Sequence, residues 1–330
     1  LQRYPPYLGL VGGGLYPVGG PRRGTGGANR GGGPASLAAA HELRRLGHAC
    51  TIFEKHEYLG GLNTNGVAPY KMKADRSIDE IEWVLGIGGI EIRTGTEVGR
   101  DIAWTDIERD FDAVFLGMGL GPDKYLGVPG EDLDGVYGAV DWIAQMKVGH
   151  VEVESLRDVV VIGGGNTALD CVRELAQLGV ENVTMVYRGT EDGMSGYAHE
   201  WDSAKREGAR GLWRAVPKSY VGASHVTGVV CQRLDENKAP IAGEETTVPA
   251  DLVLIAVGQS KLGDALAELE DITVEWGTIV VDERGATGRK GWYAGGDGSN
   301  GAKEVVNAAA EGKRAAQSID AYLMGGESNA

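Results

Sequence analysis

Two glycine-rich turns carry the residue types that cradle phosphate. At Gly163-Gly164-Gly165-Asn166-Thr167-Ala168 the apolar run Val159 to Ile162 leads into Gly-x-Gly-x-x-Ala, and an amphipathic stretch, Ala168 to Leu178, follows. At Gly31-Gly32-Gly33-Pro34-Ala35-Ser36 the same spacing opens the stretch Leu37 to Leu46, with Ser36 in the third glycine's place. In such a turn the first glycine allows the tight bend and the second lets backbone approach a pyrophosphate. The helix that follows presents its free N–H groups to the anion. One turn marks one dinucleotide. Two in a chain of 330 residues predict two dinucleotides held by one protein.

The flanking residues say which parts of a dinucleotide each turn would meet. Ala49-Cys50-Thr51-Ile52-Phe53-Glu54 reads as a second strand ending in an acid, where a carboxylate accepts hydrogen bonds from a ribose. The plainer alternative is a solvated acid at a strand end. Val183 to Arg188 reads as the matching strand of the second unit, and it ends in Tyr187-Arg188 with no acid. An arginine there accepts a 2′-phosphate, stacks on adenine, or is an ordinary surface cation. Gly60-Gly61-Leu62 is a turn that lets backbone approach a ligand. Trp292-Tyr293-Ala294-Gly295-Gly296-Asp297, followed by a helix beginning near Lys303 to Val306, offers Asp297 and free N–H groups, a pairing that suits a flavin; the plainer alternative is an ordinary turn between strand and helix.

The elements that must position these residues alternate between strand and helix, which predicts an α/β chain. A helix is expected over Ser77 to Leu85 and a short strand over Ile90 to Thr94. The apolar runs Ala113 to Gly119 and Leu252 to Gly258 each end in glycine, as parallel strands beside a cofactor do. Gly121 to Asp134, rich in Gly, Pro and Asp, reads as a crossover. Residues 1–30 are glycine-rich and irregular, so the first turn lacks an apolar lead-in strand.

The net charge of −15 argues against a nucleic-acid or anionic-membrane partner. No stretch is apolar for 18 residues and no signal peptide is recognisable, so a cytoplasmic location is expected. Cys50, Cys171 and Cys231 are too scattered for a dithiol relay or four-cysteine iron–sulfur ligation, and read as small buried hydrophobes. No catalytic acid–base residue and no metal ligand is assigned. His199, Glu200 and Lys205 read either as contacts to a nicotinamide cofactor or as a solvated helix face.

From about Gly31 the chain resembles the two-dinucleotide-binding flavoproteins typified by the small subunit of glutamate synthase. It resembles still more the flavoprotein subunit of bacterial NAD-dependent dihydropyrimidine dehydrogenase. The segments that carry the likeness are Gly60 to Lys71, Thr94 to Gly99, Val114 to Gly119, Gly127 to Glu131 and Met194 to Tyr197. Asn63 to Lys71 and Gly196-Tyr197 tilt it toward the pyrimidine branch. The resemblance implies two Rossmann-like domains, the NAD(P)-binding one (136–287) inserted into a discontinuous FAD-binding one (31–135 and 288–330). It implies FAD along Gly31, Gly33 and Ser36, with Glu54 on the ribose, Gly61 and Leu62 on the pyrophosphate and flavin path, and Val98 at the adenine. Gly119, Gly296, Asp297, Glu304 and Val305 would complete that site. NAD(P)H would use Gly163, Gly165, Asn166, Thr167 and Arg188, with Gly258 near an interdomain cleft. Hydride would pass from NAD(P)H to FAD, and electrons onward to iron–sulfur clusters on an N-terminal segment outside this sequence or on a partner. That partner is expected to be a catalytic subunit with FMN and iron–sulfur centres, in a hetero-oligomer that reduces uracil or thymine. Glutamate synthase input is the alternative within this chemistry. Outside it stand a non-catalytic dinucleotide module and a dehydrogenase with a single cofactor.

Overall fold

The computed structural model describes residues 26–325 apart from 148–150, 152, 261 and 263–265. They divide into two compact units. The first takes in the described residues of Leu1–Thr64, Asp75–Gly121 and Lys261–Ala330, and the second Asn65–Ala74 and Pro122–Ser260. Among the described residues no helix is long and apolar enough to cross a membrane.

The first unit is built on five parallel strands in the order Trp292–Ala294, Ala113–Leu116, Gly26–Arg30, Ala49–Phe53, Ile90–Arg93. Alternating side chains fill two cores. Ile52 and Phe115 meet Leu37, Ala40 and Leu43 of the helix Pro34–Arg45 together with Ala315, Ala316 and Ile319 of the helix Val305–Leu323. On the opposite face Phe53, Val114 and Leu116 pack with Trp104, Ile107, Leu266 and Ile279. The two helices approach closely because Gly312 has no side chain, and a Cβ there would strike the carbonyl of Ala35.

The expected irregularity up to residue 30 ends earlier than the composition suggests. Residues 1–25 lie outside the described residues, but Gly26–Arg30 is the central strand of the sheet, paired on both sides. Register with Ala49–Phe53 and Ala113–Leu116 compensates for its weak strand propensity. Asn29 shows what that costs. It is fully buried opposite Ile52 and Phe115, and both polar atoms of its amide lack a partner. Leaving such groups unpaired costs about 1–3 kcal/mol.

The second unit repeats the plan. Its five parallel strands run Val136–Gly138, Leu252–Ile255, Asp158–Ile162, Asn182–Tyr187, Arg210–Trp213, again with the strand before the glycine turn at the centre. A three-stranded antiparallel sheet, Ala215–Gly222, Val226–Leu234 and Pro240–Pro249, packs Tyr220, Val229 and Cys231 against Val160, Ile162 and Ile255. Nothing in the period of those strands had marked them as a separate layer.

By contacts, 122–135 groups with the second unit and 261–287 with the first, beside the boundaries at 135/136 and 287/288 that the resemblance implies. Asp123 accepts hydrogen bonds from the N–H groups of Val140 and Asp141 at the start of the helix Ala139–Lys147, which ties 122–135 to the second unit. Leu262, Leu266, Leu269 and Ile272 lie in the core of the first unit, which draws 261–287 back to it. All three cysteines are buried and free, and burial pushes the thiols of Cys50 and Cys231 up to about 12.

Candidate functional site

In the first unit the turn after the central strand is shaped by contacts to the neighbouring strand end. Gly31 adopts φ +96, and a Cβ there would lie 2.6 Å from the Gly117 carbonyl oxygen and 2.9 Å from the Met118 Cα. No L side chain fits that space or that dihedral. Gly33 caps the helix Pro34–Arg45 without any side-chain cap, and Pro34 occupies its first turn. The N–H groups of that turn therefore have no side-chain cap to accept them. Ser36 is buried, with its hydroxyl unpartnered.

Glu54 is buried at the end of Ala49–Phe53. One carboxylate oxygen accepts the Gly32 N–H at 2.6 Å and the other the His56 N–H at 2.8 Å. The solvated-acid alternative for Glu54 therefore fails. Its backbone also donates to the Arg93 carbonyl and accepts from Thr96, which brings the loop containing buried Val98 beside the turn. Gly60 donates to the Gly32 carbonyl at 2.7 Å, and Gly61 lies close against Gly33. Leu62 begins the short helix Leu62–Asn65 with its side chain partly exposed.

Gly296 approaches Ala35, and its N–H donates to Glu311 at 2.7 Å. Asp297 thus stands near the start of the first helix, its carboxyl pushed up by burial. Gly119 faces Gly298. Glu304 caps the helix Val305–Leu323 but is exposed, while Val305 is half-buried. The unit therefore gathers Gly31, Gly33, Ser36, Glu54, Gly61, Val98, Gly119, Gly296 and Asp297 at the carboxyl edge of one sheet.

The second unit has a tighter turn. Gly163 adopts φ +145, and a Cβ there would strike the Ala256 carbonyl. Gly165 caps the helix Asn166–Gln177, again without a side-chain cap. Asn166 is committed to the loop that follows the next strand, since its side-chain oxygen accepts the Tyr197 N–H at 3.0 Å. Gly196 N–H donates to the Gly164 carbonyl, also at 3.0 Å. Thr167 is half-buried in the first helical turn, and Arg188 is exposed at the end of Asn182–Tyr187. Gly258 lies beyond Leu252–Ile255, and its carbonyl accepts from Lys124.

Of the three residues weighed for the nicotinamide, Glu200 is neither solvated nor facing an open turn. It is buried and accepts the Tyr70 hydroxyl at 2.6 Å and the Lys71 ammonium at 3.0 Å. Lys71 also pairs with Asp170 at 2.5 Å, and the Tyr70 N–H donates to Glu174. Burial alone would lower the Lys71 pKa, but Asp170 and Glu200 outweigh it and the net shift is upward. This network fastens 65–74 to the second unit. Sequence gave no sign of it, because the partners lie far apart along the chain. His199 and Lys205 are exposed, as a solvated helix face requires. Among the described residues no group of His, Cys, Asp and Glu could hold a metal.

Comparison with known proteins fits this geometry. A family profile described as pyridine nucleotide-disulphide oxidoreductase matches residues 31–312. The glutamate synthase [NADPH] small chain of Halomonas elongata is 37% identical over 88% of this chain and 66% of its own length. The NADP(+)-dependent formate dehydrogenase subunit beta of Moorella thermoacetica is 33% identical over 89% of this chain. The chain spans only 43% of that relative, and less than two thirds of both. A solved structure of Mycobacterium tuberculosis FprA in complex with NADPH shares the fold, with TM-score 0.72 at 19% identity over 91% of this chain and 85% of its own. The chain therefore belongs to the pyridine nucleotide-disulphide oxidoreductase family.

Proposed function

We propose that this chain is an electron-input module, taking hydride from a reduced nicotinamide dinucleotide onto FAD and passing the electrons to a partner. The observation that carries it is the repetition of one phosphate-binding plan on two sheets, with an acid at the second strand end in one unit and a base in the other. FAD fits the first unit. Gly31 leaves backbone where a Cβ would collide, Gly61 lies close against Gly33 at φ +54, the first helix has open N–H groups, and Glu54 is pre-oriented by Gly32. Gly31, Gly33 and the N–H groups after Pro34 would hold its pyrophosphate, and Glu54 its ribose. Asp297 and the Gly296 region would hold the flavin end. NAD(P)H fits the second unit, with Gly163, Gly165 and Thr167 at its pyrophosphate and Arg188 at its adenosine end. Bound flavin supplies the two-electron acceptor that can release electrons singly.

No side chain need move a proton. The chain's work is to orient two dinucleotides and to keep water from the reacting face. The partner is proposed to carry iron–sulfur and flavin centres. Two acceptors fit. Pyrimidine reduction is favoured by Asn63 to Lys71 and Gly196-Tyr197, and glutamate synthesis by the identity to the Halomonas relative. Steady-state reduction of ferricyanide by NADH or NADPH, with and without added FAD, tests the module itself. Turnover that requires FAD supports it, and a chain that turns over neither donor with FAD bound refutes it. Adding each candidate partner subunit then assigns the acceptor.

A further inference from the structure

The second unit holds a cation that no fingerprint marks. Arg214 directly follows the strand Arg210–Trp213, whose Trp213 is in register with Tyr187. Arg188 and Arg214 are thus the first residues beyond two adjacent strand ends, on the edge where open parallel sheets bind dinucleotides. The Arg214 N–H donates to the Gly189 carbonyl at 2.8 Å, and its own carbonyl accepts from Leu234 at 2.7 Å. These bonds hold Arg214 at φ 50, in the left-handed region. Few residues other than glycine, asparagine and aspartate sit there, and those that do are held by surroundings that over-determine them.

The neighbouring positions explain why the cation comes from the next strand. A Cβ at Gly189 would lie 2.6 Å from the Tyr187 ring, and that ring also covers Gly164 of the fingerprint turn. Position 189 therefore cannot supply a second basic side chain without displacing the ring. Thr190, Glu191 and Asp192 come next, and Lys205 is taken up by Glu191 at 2.6 Å and Asp202 at 3.0 Å. Among the described residues neither Arg188 nor Arg214 is engaged in an ion pair. In the first unit the residue corresponding to Arg188 is Glu54, whose carboxylate suits a ribose diol and would repel a phosphate.

We propose that Arg214 joins Arg188 in binding the 2′-phosphate of an adenosine ribose, so that the second unit takes NADPH in preference to NADH. This rests on the second unit being the nicotinamide site. Two guanidinium groups offer a phosphate charge-assisted, bidentate hydrogen bonds that a free 2′-hydroxyl cannot return.

The test is calorimetric titration of the FAD-loaded chain with 2′,5′-ADP and, separately, with ADP, which needs no turnover. The wild type should bind 2′,5′-ADP at least about tenfold more tightly than ADP. Arg214→Asn keeps a residue that tolerates the left-handed region. It should weaken 2′,5′-ADP by about 10- to 100-fold and leave ADP within about twofold. Arg214→Lys should keep part of the preference. Equal weakening of both nucleotides by Arg214→Asn would show a merely structural residue and overturn the proposal, as would no change in either. A wild type that binds both equally overturns it too, while the nicotinamide site stands. A wild type that binds neither overturns that site and this proposal together.

Discussion

The two units place one plan around opposite charges. In the first, the turn Gly31 to Gly33 is braced from the second strand by Glu54, whose carboxylate reaches back to the Gly32 N–H. In the second, the turn Gly163 to Gly165 is braced from the loop after the second strand, through Gly196 and Tyr197, and the strand end carries Arg188. In the proposed reading, a buried acid beside the turn would favour a ribose with two free hydroxyls, and an exposed arginine an added phosphate. In the proposed assignment the turn would hold a dinucleotide, and the residue after the second strand would decide which one. The units also differ in the quality of their central strands. Val159 to Ile162 are apolar and buried, whereas Asn29 sits in an apolar core with its amide unpartnered.

If the two turns serve different dinucleotides, they should fail separately. Gly31→Ala forces a Cβ onto Gly117 and Met118 backbone, and should cost about 2–4 kcal/mol and yield a chain without flavin. Gly163→Ala should do the converse, abolishing 2′,5′-ADP binding while flavin is kept. Flavin content and nucleotide titration on both variants read this out, and loss of both ligands in either variant would break the comparison. A smaller effect is expected at the flavin end. Asp297→Ala should weaken FAD about tenfold and leave 2′,5′-ADP binding intact, and unchanged FAD affinity would remove Asp297 from the site.

The difference between the central strands predicts a gain. Asn29→Val removes two orphaned polar atoms and should stabilise the first unit by about 1–2 kcal/mol, seen as a higher urea midpoint. A lower midpoint would mean that the amide is satisfied in solution. The smallest effect concerns pH. Burial lowers the Lys147 pKa from 10.5 to about 8. The unfolded chain then binds more protons than the folded one between those values, so this lysine's contribution to stability rises with pH across the window. Against a Lys147→Met reference, urea unfolding of the wild type should gain relative stability from pH 8 upward, and a constant difference would contradict the shift.

Much of this was legible because it is local. An apolar run, a glycine triplet and an amphipathic stretch follow one another in sequence at 159–178, and the structure joins them as strand, turn and helix. Glu54 could be placed for the same reason, one residue past a strand. What escaped depends on contacts between distant segments. The strand Gly26–Arg30 forms although its residues are poor strand formers, because two neighbours hold it in register. Tyr70 and Lys71 find Asp170, Glu174 and Glu200 a hundred or so residues on, as tertiary packing allows and no spacing rule reports. Arg214 was missed because its position follows from sheet order, which places Arg210–Trp213 beside Asn182–Tyr187. The loop 122–135 groups with the second unit, where Asp123 holds a helix start, and 261–287 with the first, where Leu262, Leu266, Leu269 and Ile272 enter the core.

The most direct test of the central claim is an anaerobic absorption titration of the FAD-loaded chain with NADPH and then, on a fresh sample, with NADH. Two dinucleotide sites working as one hydride path predict that the oxidised-flavin band bleaches on addition of about one equivalent of reduced nucleotide, with NADPH the more effective donor. A flavin band that persists at saturating concentrations of both donors would contradict hydride transfer between the two units.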